Sequence, residues 1–291
     1  MIFLRRNIPL MELIAIHGVR LEVQHIPADP KPPARAPLVF LHEGLGSVAM
    51  WRGWPAAVCA ATGRSGVVYS RRGYGQSDAV PDARGPSRVE GGQRVGRLLP
   101  DYLHVEAFAV LPALLKALNI SNPVLVGHSD GASIALLHAS RFPVAACVVM
   151  APHVMVEDLS IASIRQAKQA FETGGLRQRL SPYHADVDNA FWQWNDGWLA
   201  PEFRSFDIRA ECRHISAPLL AIQGVDDAYG SMAQIDGLAE LRSNVLGKTA
   251  DLLNKNGDIQ LFKLEQCGHS PHRDQTEKTT SRITHFLTRL P

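Results

Sequence analysis

The pentapeptide Gly127-His128-Ser129-Asp130-Gly131 fits the pattern G-x-S-x-G directly after an apolar run at 123–126 and before a helical pattern. In that context a serine at the tip of a sharp strand-to-helix turn projects its hydroxyl into a cleft, and its successor's amide faces the same volume. Gly127 and Gly131 let strand and helix approach, and Ala132 and Ser133 continue the small face. The plainer reading is a serine at an ordinary β-α turn, which would need no partners elsewhere. A serine hydroxyl is a weak nucleophile at neutral pH; it needs an adjacent base, itself oriented by a third group. The chain supplies both in order, each after a later apolar run: Asp226 and Asp227 after 218–222, and His269 in Cys267-Gly268-His269 after 259–264.

Placing these residues requires a particular set of elements. Short apolar runs at 37–41, 66–70, 123–126, 146–150, 218–222 and 259–264 each end in a loop with polar, chemically capable residues. A hairpin precedes them, with strands at 13–16 and 21–26. Helical patterns at 102–118, 132–141, 232–246 and 275–290 lie between or after the runs. Strands alternating with helices predict an α/β fold built on a mostly parallel, doubly wound sheet, whose sites sit beyond the carboxyl ends of the strands. One stretch breaks the alternation: 154–214 has no strand-like run but has helical patterns at 161–173 and around 186–199. It reads as a helical cap inserted into one core made of 11–153 and 215–291, with 1–10 as an N-terminal extension. An exposed loop is expected at 27–37 and a surface excursion at 247–258.

With these residues in place, the chain resembles the α/β-hydrolase superfamily over nearly its whole length. The resemblance rests on His42 and the glycines after it, on Arg72-Gly73-Tyr74-Gly75-Gln76-Ser77, on the serine turn, on Gly224-Val225-Asp226-Asp227, and on Gly268-His269. It implies a catalytic triad of Ser129, His269 and an aspartate. In such proteins the acid stands three residues after the glycine ending its strand, which favours Asp227 over Asp226. It also implies an oxyanion hole from the amide of Asp130 and one from the loop after the 37–41 strand. Relatives have His-Gly there, whereas this chain has His42-Glu43-Gly44-Leu45, so the donor is Gly44, counting from His42, or Leu45. The expected chemistry is cleavage of a carboxylic ester of a small, largely apolar substrate through an acyl-enzyme. A carbon-carbon bond hydrolase or a thioesterase would use the same triad, and a non-catalytic binding protein on the same scaffold is the rival from another class.

Other residues invite a role in substrate binding. Glu43 could hold a cationic or hydroxylated group, although a salt bridge to an arginine such as Arg71 or Arg72 is the plainer expectation. His128 neighbours the serine, but adjacent residues on such a turn point apart, so packing behind it is expected. His272 is expected at the site rim or at the start of the last helix. Trp192, Trp194 and Trp198 either pack the cap or line an apolar pocket above Ser129.

Composition narrows the function classes. Of 291 residues, 46% are hydrophobic and 20% charged, which suits a folded globular chain. Thirty Lys and Arg against 28 Asp and Glu leave a net charge of +2, too little to argue for nucleic acid or anionic lipid as a partner. Four cysteines without a CxxC pair, and no His/Cys/Asp cluster at zinc-like spacing, give no metal site. Gly44-Leu45-Gly46 lacks the third glycine of a dinucleotide loop, so no cofactor is expected. Residues 1–10 do not read as a signal peptide, the start being Met1 or Met11, and no stretch is long enough to span a bilayer; a cytoplasmic protein is expected. A small molecule is the expected partner, and a homodimer is left open.

Overall fold

The computed structural model describes residues 10–28, 35–246 and 259–290. Its centre is an eight-stranded sheet whose inner strands are apolar runs covered on both faces. These are β3 (Leu38–Leu41), β4 (Gly66–Tyr69), β7 (Val124–His128), β8 (Ala146–Met150) and β9 (Leu219–Gly224), in which every residue is buried. A strand buried on both sides has no polar face to alternate, which is why these runs read as continuous. One edge is a hairpin of β1 (Leu10–Ile16) and β2 (Val19–Ile26), turning at His17 and Gly18, both with positive φ. The other edge is β10 (Ile259–Leu264). The order is β1-β2-β4-β3-β7-β8-β9-β10, parallel from β4 onward and antiparallel at β1-β2 and β2-β4.

The strands of this sheet fall where the apolar runs lie. The expected extension at 1–10 differs at its end: Leu10 pairs with His25 and opens β1, while 1–9 lie outside the described residues. The expected excursion at 247–258 and most of the 27–37 loop also lie outside them. A small second sheet, β5 (Arg88–Glu90) with β6 (Gln93–Val95), has too few apolar residues to be read from pattern.

The helix expected over 102–118 is three pieces: Tyr102–Val105, a π-helical turn at Glu106–Val110, and Leu111–Ala117. Pro112 stands in the first turn of the last piece and has no N–H to give to the preceding turn, so the ladder must be rearranged there. The His138 ring bonds to the Ala107 carbonyl from outside at 2.9 Å.

Between β8 and β9 the chain runs through helices Asp158–Glu172, Leu176–Leu180, Val187–Trp198 and Arg209–Cys212. The third opens with Asp186 accepting from the Asn189 amide at 2.9 Å, an N-cap. Its buried residues include Ala190, Phe191, Trp194 and Trp198, and Phe191 stacks on Phe171 of the first of these helices. Two apolar clusters fill the two sides of the sheet, and the larger continues without a break into these helices.

Candidate active site

Ser129 sits between β7 and the helix Asp130–Ala139, with φ 53° and ψ −120°. A non-glycine residue adopts positive φ at a cost, and the surroundings must hold it there. They do so through close approach. A Cβ on Gly131 would stand 2.1 Å from the Leu41 carbonyl oxygen, and one on Gly127 would stand 2.3 Å from that of Gly131. The expected small flanks are therefore required by backbone contact. The Ser129 amide is fixed by the Met150 carbonyl at 2.9 Å, and the residue keeps 6% of its exposure.

The loops after β9 and β10 bring the partners. His269 Nε2 lies 2.9 Å from Ser129 Oγ, and His269 Nδ1 lies 2.9 Å from each carboxylate oxygen of Asp227. With Nδ1–H donating to the carboxylate, Nε2 is free to accept the serine proton, the tautomer a base needs. Asp227 is buried and receives two further bonds, from the Gln223 amide group at 2.7 Å and the Tyr229 backbone N–H at 2.8 Å. Burial alone would raise its carboxyl, but the bond and charge of His269, with the Tyr229 amide, hold it below the usual carboxylate range. Asp226, the other candidate, is exposed, and its amide is used on the Cys267 carbonyl.

Asp130 is the first helical residue after Ser129, so its amide has no intrahelical acceptor. No backbone acceptor takes the Gly44 or Leu45 amide among the described residues, while the Gly46 amide turns back on the Glu43 carbonyl at 3.0 Å. His42 supports this loop: its Nδ1 donates to the Glu43 carbonyl at 2.6 Å and its Nε2 accepts from the Arg71 amide at 3.0 Å. Burial, and then Arg71, push its pKa well below the usual histidine value, so it stays neutral.

Two residues behave differently from expectation. The Glu43 carboxylate does not pair with Arg71 or Arg72; it takes Arg273 at 3.1 Å and faces His128 Nδ1 at 3.5 Å. Arg71 is drawn away to the Glu43 carbonyl at 3.0 Å and to Asp130 at 3.6 Å. Burial would raise the Glu43 carboxyl, but His128 and Arg273 bring it well below its ordinary value. His272 is not at a rim: it is buried, with its ring 4.9 and 5.2 Å from those of Trp51 and Trp54, because the short helix Pro271–Asp274 turns it inward.

His128 is buried behind the serine turn, its Nε2 donating to the His269 carbonyl at 2.7 Å. Trp194 packs on the loop below it: a Cβ on Gly44 would stand 2.1 Å from its Nε1. Trp198 Nε1 donates to the Asp130 carboxylate at 3.2 Å. Trp192 is not drawn to the triad; it packs on Phe171 and Phe191 with Arg84 over its ring at 3.8 Å. Sequence reasoning missed the buried network around Asp130, which holds Tyr102 Oη at 2.8 Å besides Arg71 and Trp198. No spacing rule joins residues 71, 102, 130 and 198. Among the described residues no group of three or more His, Cys, Asp or Glu side chains could hold a metal ion, and no helix is long and apolar enough to cross a membrane.

Solved structures share this architecture. An enol-lactonase from Burkholderia xenovorans aligns with a TM-score of 0.65 at 16% identity, covering 95% of this chain and 100% of its own. A meta-cleavage product hydrolase from Pseudomonas fluorescens gives 0.66 at 17%, with 96% and 97% covered. A thermophilic esterase from Thermogutta terrifontis gives 0.66 at 16%, with 97% and 99% covered. At such identities the likeness is one of fold. No curated protein sequence matches the chain. The sequence model of the alpha/beta hydrolase family does match, over residues 38–281, and with the strand order and the turn at Ser129 described above, this chain belongs to that family.

Proposed function

We propose that the protein is a serine hydrolase that cleaves a carboxylic ester of a small, largely apolar molecule. The observation that carries this reading is the continuous line Ser129 Oγ, His269 Nε2, His269 Nδ1, Asp227, each step 2.9 Å. His269 takes the serine proton as Oγ attacks the carbonyl carbon, and Asp227 stabilises the imidazolium that forms. The amides of Asp130 and Gly44 receive the oxyanion, with Leu45 as the neighbouring donor; each such donor is worth about 2.7 to 4 kcal/mol in the transition state. His269 then protonates the departing alcohol, and water attacks the acyl-enzyme by the same steps in reverse. Residues 154–214 act as a cap that covers this centre, with Trp194 over Gly44 and Trp198 on Asp130 giving it apolar walls.

The test is turnover of short p-nitrophenyl esters, with labelling by a fluorophosphonate. Ser129→Ala is expected to lose the label and at least about 10³-fold in kcat while folding normally. Full turnover in that variant, or no label on the unaltered protein, overturns the reading. Thioesters, lactones and vinylogous diketones in the same assay rank the bond types; the highest kcat/KM should fall on the esters.

A further inference from the structure

Behind the serine turn stands a second carboxylate–histidine pair, which the reaction steps proposed above do not use. His128 ends β7 immediately before Ser129 and is 1% exposed. Its Nε2 lies 2.7 Å from the carbonyl oxygen of His269, and its Nδ1 faces Glu43 Oε2 at 3.5 Å, an ion-pair rather than a hydrogen-bond contact. The two neighbours make the same demand. A carbonyl oxygen and a carboxylate both only accept, so hydrogen is favoured on Nε2 and on Nδ1 alike. A neutral imidazole has one N–H and turns a lone pair toward one of these oxygens, whereas the imidazolium presents a proton to each.

The surroundings hold the carboxylate in place for this. A Cβ on Gly46 would stand 2.5 Å from Glu43 Oε2, so the glycine makes room for it, and Arg273, in the short helix after His269, takes Oε1 at 3.1 Å. The other titratable rings around His128 leave it the one charge. His272, with its ring 4.8 Å away, is pushed well below the usual histidine value by burial and then by His128, and His153, 5.8 Å from the His269 ring, is lowered chiefly by burial. The His269 ring itself is 5.2 Å from that of His128. Glu43 directly precedes Gly44, so the loop after β3 is tied to the loop that carries His269 twice: through Arg273, and through His128 to the His269 carbonyl.

We propose that Glu43 and His128 are positioning residues for the serine hydrolysis proposed above, on which this inference rests: His128, held as an imidazolium by Glu43, fixes the backbone of His269 while Asp227 fixes its ring. A base whose ring is oriented but whose backbone is loose can still move off Ser129 Oγ, and a misplacement of about 1 Å costs about 10²-fold in rate.

Two measurements test this. Imidazole ¹⁵N NMR at pH 7.5, with the His128 signals identified by their loss in His128→Gln, is expected to show hydrogen on both ring nitrogens in the unaltered protein and on one in Glu43→Gln. In ester turnover, His128→Leu should lose about 10- to 100-fold in kcat with KM within about twofold, and fluorophosphonate labelling should slow by the same factor. His128→Gln places an amide N–H near the position of Nε2 and should recover kcat to within about fivefold of the unaltered protein, which a loss of packing alone would not give. Circular dichroism shows that the variants compared are folded, and should the leucine variant fail to fold, the glutamine variant and the ring nitrogens still decide. A singly protonated His128 ring in the unaltered protein, a folded His128→Leu with unchanged kcat, or a folded His128→Gln with kcat down 10-fold or more overturns the proposal. No label on the unaltered protein overturns the hydrolase reading and this inference with it; label and turnover that His128→Leu leaves unmoved overturn this inference alone.

Discussion

At the scale of single residues, the site is a set of buried polar groups whose partners decide their charge. Asp227 has four bonds on two oxygens, and replacing it by Asn keeps the shape but presents an amide to His269 Nδ1. His269 then favours the tautomer with hydrogen on Nε2, which cannot accept from Ser129. Asp227→Asn is therefore expected to lower kcat about 10⁴-fold with little change in KM, measured by ester turnover. Glu43 makes a prediction of the opposite kind. Its lowered pKa means that its contribution to stability is present above its ordinary carboxyl range and is lost as pH falls through the lower folded value. Glu43→Ala leaves His128 and Arg273 without their carboxylate and should cost about 1–3 kcal/mol at pH 7 by denaturant unfolding. Ser129, Asp227 and His269 were legible because each follows an apolar run at a glycine-bearing turn. The partner of Glu43 was not, because Arg273 lies 230 positions away and nothing local favours it over Arg71 or Arg72.

At the scale of elements, the serine turn depends on how closely β3, β7 and the helix Asp130–Ala139 approach. Gly131→Ala places a methyl group against the Leu41 carbonyl, a backbone atom that cannot swing aside. The expected cost is about 1–3 kcal/mol, with a fall in kcat larger than stability alone explains, because Leu41 leads directly into the His42–Gly44 loop. A thermal melt and a rate on the same preparation check this; an unchanged rate would separate the glycine from the site. The strands were readable because fully covered strands carry unbroken apolar runs. The π-helical turn was hidden because residues 102–118 keep a helical spacing throughout, and only the Pro112 ring and the distant His138 show where the ladder breaks.

For the whole molecule, acid is the expected weakness. His42, His153 and His272 are buried with pKa values pushed down by desolvation first, His153 to about 3. The unfolded chain takes up these protons below about pH 6.5 while the folded one refuses them, so stability falls from there toward pH 3. Each such histidine contributes up to about 1.4 kcal/mol per pH unit. Asp130 and Glu106, whose carboxyls burial raises, act in the opposite sense, since the folded chain holds their protons more readily, but three histidines stand against these two carboxyls. The melting temperature should therefore drop between pH 7.5 and 5, and His153→Phe should flatten the slope; a constant value across that interval contradicts this account. The contacts of the tryptophans have an optical consequence. Of five indoles, Trp194 lies on the Gly44 loop and Trp198 is bonded to the carboxylate of Asp130, the residue beside Ser129. An indole's emission follows the charge and water around it, so acylation at Ser129 should be visible as a change in intrinsic fluorescence, and the molecule carries its own probe for stopped-flow work.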